Sequence, residues 1–237
     1  MRIRYYPTFE QADREVLQDS VVVVIDVLRA TSTILAGLDR GATRIIPVED
    51  IETATRLVGP TDRGTKLLVG ERKGMPIDGF NLFNSPSEFT PESVTGKTLI
   101  ITTSNGTRAI TATRNARRSI VCSLNNVGAV AGAVRDEKEL IVLCSGNEGM
   151  LAAEDLLCGG MLLKELSDEV DCDSLDDAAR LSMLLAETFE YALKRFIMSC
   201  DRGRALIALG YEEDVVYCAT RDRSSRVPEF KQGAILG

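Results

Sequence analysis

Asp26 stands directly behind five consecutive aliphatic residues, Val21–Ile25, and is followed closely by Arg29, Thr31, Ser32 and Thr33. A carboxylate at the end of so apolar a run is tolerated only if it is solvated, hydrogen-bonded or metal-bound. It can be a brace for the following helix, a metal ligand or a covalent nucleophile. The guanidinium and three hydroxyls beside it suit an anion held at a helix N-terminus. Two later segments repeat the design. Thr103-Ser104-Asn105-Gly106-Thr107 follows the run Lys97–Thr102 and reads either as a tight turn with a helix cap or as a phosphate cradle. Ser145-Gly146-Asn147 follows Glu139–Cys144 and leads toward Glu154 and Asp155. Those adjacent carboxylates either complement a helix dipole or serve as hard oxygen ligands for Mg²⁺. Glu71-Arg72 is an isolated ion pair or, with the Asn84-Ser85 turn, a carboxylate, a guanidinium and an amide set over a polyanionic substrate.

Several chemistries are excluded. The 237 residues contain no histidine, which removes Ser-His-Asp hydrolysis, phosphohistidine chemistry and His-ligated zinc or iron. Leu28 occupies the place of the second aspartate in a D-x-D phosphatase signature, which weakens an aspartyl-phosphate mechanism. Cys144 lacks the C-x5-R cradle of a cysteine phosphatase, because position 150 is Met150, and reads instead as a packing residue. The six cysteines include no C-x-x-C pair and suit a reducing compartment. A net charge of −7 argues against a nucleic-acid partner but leaves room for a small phosphorylated ligand. The N-terminal stretch has no apolar core of a signal peptide, and no apolar run approaches a membrane span. The expectation is a cytoplasmic protein without a membrane partner, with self-association left open.

The elements that must position these residues alternate between short β-branched runs and helix-length amphipathic stretches, the signature of an α/β fold. Strands are expected at Val21–Ile25, Arg44–Val48, Lys66–Gly70, Lys97–Thr102, Ser119–Cys122, Glu139–Cys144 and, late in the chain, Val215–Ala219. Helices are expected at Asp50–Val58, Thr107–Asn115, Asn126–Arg135 and Met150–Ser167, with one or two more across Ser174–Met198. Three times an aliphatic run enters a small polar loop and then a helix, as a parallel sheet does when its loops converge on one edge. The Gly- and Pro-rich stretch Glu71–Pro91 breaks the alternation and reads as an excursion that lines the site. No linker divides the chain, so residues 1–237 are expected to form one domain.

Asp26–Thr33, Gly70-Glu71-Arg72, Gly79-Phe80 with Asn84-Ser85-Pro86, Thr102–Thr107, and Cys144–Gly149 with Ala153-Glu154-Asp155 occur in one order along the chain. Together they resemble the successive signatures of the 2-phosphosulfolactate phosphatase (ComB) family. The resemblance implies a three-layer α/β/α fold with a mainly parallel sheet. It also implies Mg²⁺-dependent hydrolysis of (2R)-O-phospho-3-sulfolactate to sulfolactate and phosphate, a step of one route to coenzyme M. Asp26, Glu154 and Asp155 are then the candidate metal ligands, and with Arg29 the catalytic set. Arg72 is the candidate for the second anion of the substrate. Other small phosphorylated hydroxy acids, or a non-catalytic phosphate or nucleotide binder on the same fold, are the competing readings.

Overall fold

The computed structural model describes residues 1–59, 62 and 64–237. In chain order its elements are β1 (Arg2–Tyr6), α1 (Arg14–Leu17), β2 (Val21–Ile25), α2 (Ala30–Asp39), β3 (Arg44–Pro47), α3 (Ile51–Arg56) and β4 (Lys66–Gly70). Next come β5 (Leu82–Phe83), α4 (Pro91–Val94), β6 (Thr98–Thr102), α5 (Gly106–Ala112), β7 (Arg118–Cys122), α6 (Val127–Val134), β8 (Glu139–Cys144) and α7 (Ala153–Glu165). The chain closes with α8 (Asp177–Phe189), α9 (Leu193–Ser199), α10 (Asp201–Ala208), α11 (Glu212–Cys218), β9 (Glu229–Lys231) and β10 (Ala234–Leu236).

One ten-stranded sheet carries the molecule, in the order β1-β8-β2-β7-β9-β10-β3-β6-β4-β5. The strands β1, β8, β2 and β7 pair in parallel, as do β3, β6, β4 and β5. The C-terminal hairpin β9–β10 joins these halves through antiparallel pairings to β7 and β3. All five residues of β2 are buried. That is why the run carries no polar alternation: each face of a central parallel strand meets a helical layer. Val21, Val23 and Ile25 pack with α6, α7 and the C-terminal helices, while Val22 and Val24 pack with α2 and α5. Each such side chain contributes roughly 1.5–3 kcal/mol when fully removed from water. On the far half, Ile46, Leu68 and Ile100 are covered by α3 through Ala54. The result is the three-layer α/β/α architecture. No helix among the described residues is long and apolar enough to cross a membrane.

The expected late strand at Val215–Ala219 is the second half of helix α11. Val215, Cys218 and Ala219 are buried at helical spacing, and Glu212, Glu213 and Asp214 crowd its first turn, where carboxylates favour a helix start. The Ser174–Met198 stretch is broken by a 3-10 turn at Glu190–Ala192 between α8 and α9. The Glu71–Pro91 excursion is ordered, holding β5 and a 3-10 turn at Pro86–Glu88.

Candidate active site

The carboxyl ends of β2, β4, β6 and β8 open on one small cleft, lined by Asp26, Arg29, Glu71, Asn84, Thr103 and Glu154 among others. This is the edge of an open α/β sheet at which ligands bind. Asp26 leaves β2 into a turn closed by its own backbone, for Thr31 donates to the Asp26 carbonyl through both its amide (3.0 Å) and its hydroxyl (2.7 Å). The Ala30 amide donates to Oδ1 at 3.2 Å. The side chain is nevertheless buried, and burial pushes its carboxyl up to about 6, with Glu71 adding to the rise and Arg202 opposing it.

The loop after β6 is built to let α5 approach this carboxylate. Thr103 and Thr107 cap each other, amide to hydroxyl at 3.0 Å in both directions. A β-carbon on Gly106 would lie 2.2 Å from Asp26 Oδ2, so only glycine leaves that oxygen its place. Glu71, at the end of β4, accepts from the Ser104 amide at 2.7 Å and from the Gly74 amide at 2.6 Å, locking two loops together.

After β8 the chain turns through Ser145 and Gly146 into α7. Asp155 is tied down here: Oδ1 accepts from the Val27 amide at 2.8 Å, Oδ2 from the Ser145 hydroxyl and the Gly146 amide at 3.1 and 3.2 Å. It ties the β2 and β8 loops to the start of α7. Glu154, one residue earlier, is equally buried, but among the described residues no loop amide donates to it. Burial holds its carboxyl up near 7 and neighbouring Asp26 pushes the same way; burial, then Asp26 and Glu154, also drives Asp155 well above the carboxylate range. Three buried carboxyls thus resist ionising together, a condition that a bound cation relieves.

Arg29 is fully buried, paired with Asp214 of α11 at 2.5 Å and packed against the rings of Phe83 and Tyr211. Among the described residues its Nε and Nη2 have no partner, and neither does Asn84 Oδ1. Both residues line the cleft, so these unpaired groups are what it offers a ligand. Ser85 donates to Asp214 at 2.8 Å and supports the pair.

Other expected ligand contacts are arranged differently. Thr31 bonds Asp26, Ser32 donates to the Val27 carbonyl, and Thr33 is buried in α2; none of the three lines the cleft. The amides of Thr103, Ser104, Thr107, Ser145, Gly146 and Asn147 are all committed within the protein. Asn105 and Asn147 also line the cleft, and the Asn105 side-chain amide donates to Asn147 Oδ1 at 3.4 Å. Arg72 is spent on the Glu71 and Glu49 carbonyls and the Thr102 hydroxyl, outside the cleft lining. The cation in its place is Arg202, at the start of α10 and lining the cleft beside Glu154. Arg202 and Asp214 escape a sequence reading because nothing local marks a C-terminal helix as the roof of a site built from earlier loops. Cys144 is fully buried and its thiol is pushed up by burial, then by Asp155, so no thiolate is on offer.

Among the described residues no three Asp, Glu, Cys or His side chains already stand at ligand separation. Mg²⁺ does not require such a cage: one or two carboxylates, waters and substrate phosphate oxygens suffice. Asp26 and Glu154 fit that demand, whereas both Asp155 oxygens already accept hydrogen bonds from the loops, one at Oδ1 and two at Oδ2.

Residues 6–233 match the family described as 2-phosphosulpholactate phosphatase. The chain is 39% identical over 236 residues to a probable 2-phosphosulfolactate phosphatase of Caldanaerobacter subterraneus subsp. tengcongensis, covering 99% of this chain and 98% of the relative. A protein of the same description from Clostridium perfringens strain 13 is 37% identical over 238 residues, covering 99% and 96%. One from Thermotoga maritima is 35% identical over 214 residues, covering 90% of each chain.

Proposed function

Because the chain belongs to the 2-phosphosulpholactate phosphatase family of phosphoric monoester hydrolases, we propose that it converts (2R)-O-phospho-3-sulfolactate to (2R)-3-sulfolactate and phosphate with Mg²⁺ as cofactor. That is the type of step used in making coenzyme M. The supporting observation is the buried trio Asp26, Glu154 and Asp155 sharing a cleft with an arginine whose Nε and Nη2 have no partner among the described residues. Asp26 and Glu154 would hold the metal, which supplies charge neutralisation at the phosphoryl oxygens and a more acidic water. Arg29 directs Nε and Nη2 at the phosphoryl group, held in aim by Asp214. Glu71 and Asp155 keep the loops after β6 and β8 fixed around it. Asp26 Oδ2 faces the reacting centre, as nucleophile or as the carboxylate that orients water. The partner is a small phosphorylated acid, the compartment the cytoplasm, and a nucleic acid is disfavoured by the net charge of −7.

The test is phosphate release from 2-phosphosulfolactate, phospholactate and p-nitrophenyl phosphate, in Mg²⁺ and after chelation. The expected result is the highest kcat/KM on phosphosulfolactate, lost in chelator and regained with Mg²⁺. Absence of release from every ester would defeat the reading, and full activity after thorough chelation would defeat the metal.

A further inference from the structure

A phosphorylated sulfo-acid carries negative groups on its carbon skeleton as well as its phosphate, and one cation cannot meet both ends. Arg29 is committed: its Nη1 pairs with Asp214 and its plane packs on Phe83 and Tyr211. Arg72 is turned away into carbonyls. Arg202 differs from both. It lines the cleft that holds Asp26 and Glu154, and it also lines an adjoining, wider cleft with Asn147, Met150, Leu151 and Phe196. Among the described residues it has no ion-pair partner within 4.0 Å. Its guanidinium rests on the backbone of Gly74, where an added β-carbon would stand 3.2 Å from Nη1, in the same loop that Glu71 ties down through the Gly74 amide. A half-buried, positioned guanidinium at the junction of the reaction cleft and a roomier one is a receptor for a second anion.

Resting on the phosphatase reading above, we infer that Arg202 binds the skeleton anion of the substrate, sulfonate or carboxylate, and sets the preference for acid-bearing phosphate esters over uncharged ones. The phosphoryl group then lies toward Asp26 and Arg29, and the acid group points across Glu154 into the wider cleft. Met150 and Leu151, both more than half exposed, flank its entrance.

The experiment compares the ratio of kcat/KM on 2-phosphosulfolactate to that on p-nitrophenyl phosphate in wild type, Arg202→Ala and Arg202→Lys. Loss of a charge-assisted contact predicts that Arg202→Ala lowers this ratio by about 30-fold or more. Arg202→Lys, which keeps the charge but loses the bidentate fork, lowers it several-fold, mainly through KM. Calorimetric titration with racemic 3-sulfolactate and with inorganic phosphate needs no turnover. Sulfolactate affinity should fall about tenfold or more in Arg202→Ala, and phosphate affinity much less. If the alanine variant fails to fold, the lysine variant carries both measurements. An unchanged ratio, or sulfolactate affinity equal to that of wild type, would overturn the assignment. A wild type that binds sulfolactate through Arg202 yet releases no phosphate would instead overturn the phosphatase reading alone.

Discussion

Arg29 and Asp214, 185 positions apart, meet at 2.5 Å with both side chains withdrawn from solvent. Asp214 also accepts from the Ser85 hydroxyl, the Ser87 amide and the Ser87 hydroxyl. One carboxylate on α11 therefore joins the loop after β2 to the turn after β5. Removing it strands a buried cation, at a cost of about 3–5 kcal/mol. Asp214→Ala should lower stability by that amount in urea denaturation, and Asp214→Asn, which keeps an acceptor for the serines, by less. A change below about 1 kcal/mol in the alanine variant would mean that water reaches Arg29 freely.

Gly106 makes a different point, since its backbone is ordinary and only space forbids a side chain. A β-carbon there would meet Asp26 Oδ2 at 2.2 Å and the Ala30 β-carbon at 2.5 Å. Gly106→Ala should displace the carboxylate, cutting kcat by about 100-fold or more for overpacking that costs about 1–3 kcal/mol of stability. Wild-type kcat in this variant would show that the position of Oδ2 is unimportant.

The central strands and their loops are legible because β2, β4, β6 and β8 are largely aliphatic runs followed directly by polar residues, Asp26, Glu71, Thr103 and Ser145. Strand β1 was not expected, although Ile3 and Tyr5 alternate inward with Arg2 and Arg4 outward. The hairpin β9–β10 turns at Gln232 and Gly233, both at positive φ, and glutamine is a weak signal for such a turn. Asp26 and Glu71 stand out in the sequence because a polar group directly behind an aliphatic run needs a reason, and the structure brings both to one cleft with Asn84 and with Glu154 of α7. Asp155 pairs with Glu154 by adjacency in the sequence, yet the two carboxylates meet different surroundings, which only packing decides. Arg72 draws attention because it adjoins Glu71, but sequence proximity says nothing about which guanidinium turns into the cleft, and Arg202 is the one that lines it.

The carboxyl cluster also dictates a pH dependence. Asp26 at about 6 and Glu154 near 7 lie above their unfolded values, so the folded protein holds protons that the unfolded chain releases. Their contribution is full at low pH and is lost as pH rises from about 4 through 7. Metal-free wild type should therefore lose stability relative to Asp26→Asn between pH 5 and pH 8. Mg²⁺ should raise the wild-type Tm most at pH 8 and least at pH 5. A difference between the two proteins that is flat with pH would contradict the buried-carboxyl account.

Cys144 sits at the mouth of a phosphate-like loop but is fully buried, with Sγ 3.5 Å from the Tyr5 hydroxyl. Cys144→Ser should keep kcat within about tenfold, or roughly 1.4 kcal/mol of barrier. Loss of several orders of magnitude in a folded variant would make the thiol the nucleophile.

The central claim is that Asp26 supplies the chemistry rather than a brace. Asn at this position can still accept the Ala30 amide, so the fold should survive, and removal of one buried charge beside Glu154 should leave the metal-free Tm equal or higher at pH 8. The measurement is kcat for phosphate release from 2-phosphosulfolactate by Asp26→Asn and wild type at saturating Mg²⁺, with both melting curves recorded. The account predicts a fall of more than about 10³-fold, some 4 kcal/mol of barrier, in a folded protein. A near-normal kcat would contradict it and move the chemistry to Glu154 or Glu71.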